Sequence, residues 1–107
     1  MTTSDSGWYA PPGVRILGQI ALQEAARKHA DVANALAVWR SAVFAAAWSN
    51  LAQLKADFPS ADYVPPFTVF NVKDNRYRLI ALIDYVEQIV VVRDVLTHAT
   101  YSKGRWR

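Results

Sequence analysis

Phe67-Thr68-Val69-Phe70-Asn71-Val72-Lys73-Asp74-Asn75-Arg76-Tyr77-Arg78-Leu79-Ile80-Ala81-Leu82-Ile83-Asp84 decides the fold of this chain. Residues 67–73 alternate as a strand does, and so do residues 76–84. Asp74-Asn75 lies between them. Both residue types tolerate left-handed backbone, so the pair reads as a two-residue hairpin turn. Period-two geometry predicts Asn71 and Lys73 on one face of the first strand, and Arg76 and Arg78 on one face of the second. A short Tyr85-Val86-Glu87 turn then leads to a third strand, 88–93, built on Ile89-Val90-Val91-Val92. Antiparallel order brings its end, at Arg93, to the level where the second strand starts. Arg76 and Arg78 are thus expected near Arg93 and near Thr97-His98.

Working outward from the hairpin, the preceding half is helical. Val14 to Leu17 is a short candidate strand, followed by a helix over 19–29 with Ala25 and Ala26 as good helix formers. Asp31 reads as the N-cap of a second helix reaching about Ala47. Val32, Leu36, Trp39 and Val43 recur every three or four residues and predict its buried stripe. Leu51, Leu54 and Phe58 suggest a further short helix stopped by Pro59, and Pro65-Pro66 leads into the sheet. The expected fold class is α+β: strand, helix, helix, then a three-strand antiparallel meander with the helices on one sheet face. Residues 1–13, ending in Pro11-Pro12-Gly13, read as a flexible arm whose Trp8 and Tyr9 have the chemistry to pack back. Residues 14–107 read as one domain.

Composition bounds the function. The chain has 107 residues, enough for one core. It has no cysteine, which excludes a disulfide frame and a thiolate metal site, and its two histidines show no ligand spacing. No metal and no cofactor are expected. The apolar runs are too short to cross a bilayer, and Met1-Thr2-Thr3-Ser4-Asp5-Ser6 does not resemble a signal peptide. A cytoplasmic setting without membrane contact is the simplest expectation. The net charge of +3 is modest. Its distribution is not even: Lys73, Arg76, Arg78, Arg93, Lys103, Arg105 and Arg107 face only Asp74, Asp84, Glu87 and Asp94 in the C-terminal third.

That third carries the chain's candidate site. Residues 70–79 and the run Thr97-His98-Ala99-Thr100-Tyr101-Ser102-Lys103 collect Asn, Lys, Arg, Tyr and His at one end of the expected meander. These groups hold phosphates, stack on bases and move protons. With Val14-Arg15-Ile16, Trp39, Trp48 and Phe58-Pro59-Ser60-Ala61, the two runs resemble the HigB toxins, a branch of the RelE/ParE superfamily of bacterial toxin–antitoxin systems. Asp74, Leu96 and Thr100 depart from the family pattern, as does the uncharged run Ser41 to Ala47. The resemblance implies a RelE/ParE-like fold, ribosome-dependent cleavage of messenger RNA in the A site, and neutralisation by a cognate antitoxin with a helix-turn-helix domain.

Metal-free RNA cleavage needs a proton taken from the ribose 2′-oxygen, a proton given to the leaving 5′-oxygen, and cations on the phosphate. Histidine ordinarily titrates near neutrality, and His98 is the histidine of the basic region. His98 and Tyr101 are the expected proton-transfer or alignment groups, with Lys103 assisting. Arg78 and Arg93 have fork-shaped donors suited to phosphate. Lys73, Arg76 and Asn71 are expected on the flanking RNA. The plainer readings are a capping role for His98, a solvated sheet face for Arg76 and Arg78, and a hairpin-shaping role for Asn71. Tyr77 is expected to face the helices, and Trp39 and Trp48 to pack in the core or against the antitoxin. His29 is expected to serve the end of its helix. Two further functions compete: a ParE-type gyrase poison, and a non-catalytic domain that only binds the antitoxin.

Overall fold

The computed structural model describes residues 14–106; the expected arm at 1–13 and the terminal Arg107 lie outside the described residues. The element order is β1 (Arg15–Leu17), α1 (Gln19–Lys28), a 3-10 turn (Ala30–Val32), α2 (Ala33–Phe44), α3 (Leu51–Asp57), β2 (Asp62–Val64), β3 (Phe67–Val72), β4 (Tyr77–Asp84), β5 (Ile89–Thr97) and α4 (His98–Ser102). The strands form one sheet in the order β1-β5-β4-β3-β2. All neighbours are antiparallel except β1 and β5, which run parallel. The α+β class and the meander hold, with β2 and α4 added.

The hairpin turn follows from its residues. Arg76 N donates to Lys73 O at 3.0 Å, and Asp74 and Asn75 have φ of 51° and 75°, the left-handed backbone of a primed turn. Lys73 is left-handed too, at φ 53°. Strand pairing therefore stops at Val72↔Tyr77, and Lys73 and Arg76 belong to the turn rather than to the strands. Their predicted faces do not apply.

Two cores sit on the two sheet faces. Tyr77, Leu79 and Ala81 of β4, with Phe70 and Val72 of β3, join Leu22, Leu36, Trp39, Val43 and Leu54 in the main core under α1, α2 and α3. The predicted stripe of α2 is buried. On the other face Phe67, Val69 and Ile80 form a smaller cluster, closed by Val64, Leu96, Tyr101 and Trp106.

β5 departs most from its sequence pattern. It does not end at Arg93 but runs on to Thr97. Ile80 pairs with Asp94 and Ala81 with Val92, so Arg93 is the extra residue of a β-bulge. The bulge shifts parity. Val90 and Val92 lie in the main core before it, and Val95 packs there after it, while Leu96 turns to the second face. Alternation alone misreads such a strand.

Two helix boundaries also differ. Asp31 does not cap α2; it lies in the 3-10 turn, and no side chain caps the helix. The Asp31 carboxylate is taken by β4 instead, accepting from Tyr77 Oη at 2.9 Å. The helix ends at Phe44 rather than Ala47, because the chain turns to bury Ala46 and Trp48. Trp48 Nε1 then donates to Asp57 Oδ2 at 2.8 Å, fixing α3.

Gly18 turns β1 into α1 with φ +79°, and a Cβ there would collide with the Val92 carbonyl. Gly18→Ala is expected to destabilise the fold by more than about 1 kcal/mol, since both strain and a clash oppose it. A lowered urea midpoint at unchanged m measures this.

Candidate RNA-cleaving site

The site is built on the second sheet face. Arg78 is opposite Asn71 on β3 and Leu96 on β5, and it is buried at 8% exposure. Its Nη1 donates to Asn75 O at 2.8 Å and to Tyr77 O at 3.3 Å. Two main-chain carbonyls, one in the turn and one at the start of β4, thus hold the guanidinium in place, which is how a cation is preorganised without a counter-ion.

The C-terminal segment closes over it. Thr97 caps α4, its Oγ1 accepting from Thr100 N at 3.2 Å, so Thr100 is a capping partner. One turn on, Tyr101 has the Arg78 guanidinium over its ring, 5.4 Å from the centroid. Gly104, at φ +73°, reverses the chain so that Trp106 stacks on Tyr101 at 5.1 Å and 19°. Trp106 Nε1 donates to Tyr101 O at 3.1 Å. Trp106 meets Phe67 at 5.8 Å, and Arg93 lies over Phe67 at 4.7 Å. A continuous series of cation, three rings and cation joins Arg78 to Arg93.

Beside Arg78 and Tyr101 opens a cleft of ≈ 350 Å³, also lined by Asn71, Lys55, Ser60 and Asp62. Of the residues expected from sequence, Arg78, Tyr101 and Asn71 converge there. The others do not. Arg93 is on the same face but is engaged over Phe67. His98 is exposed at the start of α4, and its backbone N donates to Arg76 O at 2.8 Å; it sits at the same sheet end without lining the cleft. Lys103 is exposed at the end of α4. Lys73 lines an adjoining hollow with Asn34, Val38 and Trp39 of α2, which Asn71 also borders. Arg76 lies 3.8 Å from Asp31 Oδ2 on the helix side. Neither Lys73 nor Arg76 therefore lines the cleft with Arg78, because the left-handed turn ends the strand alternation.

Lys55 and Asp62 were not marked by any sequence pattern, and Ser60 only as part of the run Phe58-Pro59-Ser60-Ala61. Lys55 is an exposed residue of a short helix, and in sequence nothing separates it from a solvated lysine. Trp106 had a weak signal: one large apolar residue between two arginines is a packing residue more often than a solvated one. Among the described residues no group of three His, Cys, Asp or Glu is placed to hold a metal, and no helix is long and apolar enough to cross a membrane.

The comparisons with known proteins agree on one family. A family model for HigB toxins, described as the RelE-like toxic component of a toxin–antitoxin system, matches residues 32–104. The chain belongs to the HigB toxin family. It is 31% identical over 92 residues to the mRNA interferase toxin HigB of Escherichia coli strain K12, an alignment covering 83% of this chain and 88% of the relative. The mRNA interferases HigB of Escherichia coli O157:H7 and Shigella flexneri give the same identity and coverage. Trp106 lies just past the span of the HigB family match, and β1 and α1 precede it.

On the opposite face, Tyr77 behaves as its position predicted. It is buried, its ring is 5.1 Å from His29, and its hydroxyl donates to Asp31. That hydrogen bond, then burial and the Asp31 charge, raise the Tyr77 pKa above its ordinary value, against the smaller effect of Arg76. Burial, with Tyr63 nearby, raises Tyr85 as well. A raised phenol pKa gives stability that is complete below the unfolded value, about 10, and is lost as pH rises through the folded one. Folding stability is therefore expected to fall above roughly pH 10. Tyr77→Phe should flatten that fall, which urea midpoints between neutral and alkaline pH will measure.

Proposed function

We propose that this HigB-family chain is an mRNA interferase: a metal-independent endoribonuclease of a type II toxin–antitoxin pair, acting on messages held by the ribosome. The observation that carries the reading is the buried Arg78 guanidinium, fixed by two main-chain carbonyls and opening with Tyr101 and Asn71 onto one cleft. The mRNA interferase names of the relatives support it.

In this reading the ribose 2′-oxygen attacks the adjacent phosphorus and the bond to the 5′-oxygen breaks. Arg78 meets the charge that builds on the phosphoryl oxygens. Tyr101, beside it, aligns the substrate or transfers a proton. His98, one turn before Tyr101 at the start of α4, and Lys103, the residue that ends that helix, act from outside the cleft lining, His98 in proton transfer and Lys103 as an assisting cation. Arg93, Lys73, Arg76 and Asn71 contact flanking RNA backbone, where salt-dependent attraction suffices. The protein works in the cytoplasm, where translating ribosomes are.

The partner is a cognate antitoxin with a helix-turn-helix domain. Val38 and Phe44 of α2 are exposed, and apolar residues so placed suit a protein contact. Expression from a tight promoter with primer extension on reporter messages tests both halves. New 5′ ends are expected within translated codons, and co-expression of the neighbouring small gene should suppress them. Growth arrest without new ends would transfer the assignment to gyrase poisoning, and no arrest at all to a non-catalytic domain.

A further inference from the structure

We infer that Lys55 of α3 is the second substrate-facing cation of the cleft, directed at the same phosphate as Arg78. This rests on the reading that the cleft cleaves RNA. As the 2′-oxygen adds, the phosphate goes from one negative charge towards two, and a single guanidinium already shared with two carbonyls leaves that charge under-compensated. None of the other cations that the sequence marks, Lys103 included, lines the cleft. Lys73 lies with α2, Arg76 beside Asp31, and Arg93 over Phe67. Lys55 shares the cleft with Arg78, Asn71 and Tyr101.

Its placement is fixed by its short helix. Leu54, next to it, is fully buried. Asn50 caps the helix, its side chain accepting from Gln53 N at 2.9 Å. At the other end Asp57 is held by Trp48, and the Phe58 ring contacts both Trp48 and Phe70, at 5.9 Å and 5.1 Å. Asp62 lines the same cleft, yet among the described residues Lys55 makes no ion pair with it or with any other carboxylate. A lysine whose backbone is fixed and whose charge is uncommitted is available to a phosphate.

Purified wild type, Lys55→Ala, Lys55→Met, Lys55→Arg and Arg78→Ala, with Lys28→Ala as a control on α1, are compared for cleavage of a defined message on programmed ribosomes. Lys55→Ala is expected to lower kcat by about 100-fold, with little change in KM, the mark of an interaction made in the transition state. Lys55→Arg should restore much of the rate. Lys55→Met keeps the apolar stem on the helix, so a wild-type unfolding midpoint with the same loss of kcat separates charge from folding. Wild-type kcat in Lys55→Met overturns the inference, and so does a loss confined to KM. If Arg78→Ala is inactive while Lys55→Met is not, only this inference fails. If both cleave normally, the cleft reading itself fails.

Discussion

Arg78→Ala is expected to reduce message cleavage by a factor of about 10²–10³, equivalent to roughly 2.7–4 kcal/mol of transition-state stabilisation. The size follows from how the side chain is held. A solvated arginine loses rotamer freedom and hydration when it meets a phosphate. Arg78 is already ordered by Asn75 O and Tyr77 O and already buried, so those costs are met on folding. Its charge also acts beside the Tyr101 ring rather than in bulk water, where Coulomb interactions are weaker. Arg78→Lys should recover little, since an ammonium cannot reach two carbonyls and a phosphate in one plane. Cleavage by purified Arg78→Ala at the wild-type rate, with a wild-type melting curve, contradicts the assignment.

Phe70→Ala is expected to cost about 3–5 kcal/mol of folding stability. Phe70 is 1% exposed and meets Trp39 at 5.4 Å and Phe58 at 5.1 Å, both edge-on. It ties the sheet to α2 and to the residue following α3, so removing it leaves a cavity at the junction of three elements. A domain of this size is stable by only about 5–15 kcal/mol, so the variant should be partly unfolded at physiological temperature. Equilibrium urea unfolding measures the loss. A change below about 1 kcal/mol would mean that α2 and α3 close over the gap, contrary to the packing described.

The hairpin was legible because two independent signals coincide there. Alternation marks both strands, and Asp74-Asn75 supplies a turn whose left-handed backbone the structure contains. The stripe on α2 was legible for a similar reason, its period being long enough to be unambiguous. The site was legible only in part. Arg78, Tyr101 and Asn71 meet because strand parity carried Arg78 and Asn71 to one face and α4 brought Tyr101 over it. Lys73 and Arg76 were misplaced because the left-handed turn takes them out of the strands. Arg93 was misplaced because a bulge is a one-residue insertion that leaves no compositional trace. Asp31 read as a helix cap, but a tyrosine 46 positions on competes for its carboxylate, and no local rule sees such a contact. β2 was missed because three residues before Pro65-Pro66 are too few to show a period. Lys55 was invisible because its significance depends on which strand end α3 packs beside.

Cleavage of translated messages by a metal-independent cleft around Arg78 is the activity we propose. It is tested most directly with purified protein, ribosomes programmed with a message of known sequence, and analysis of the chemical ends formed. Attack by the 2′-oxygen requires a 5′-hydroxyl on the downstream fragment and a cyclic or 3′-phosphate on the upstream one. Those ends are expected with the wild type, are expected to be lost in Arg78→Ala, and should form only while the message occupies the ribosome. Downstream fragments carrying a 5′-phosphate, or intact messages in the presence of an active, growth-arresting toxin, would contradict the account.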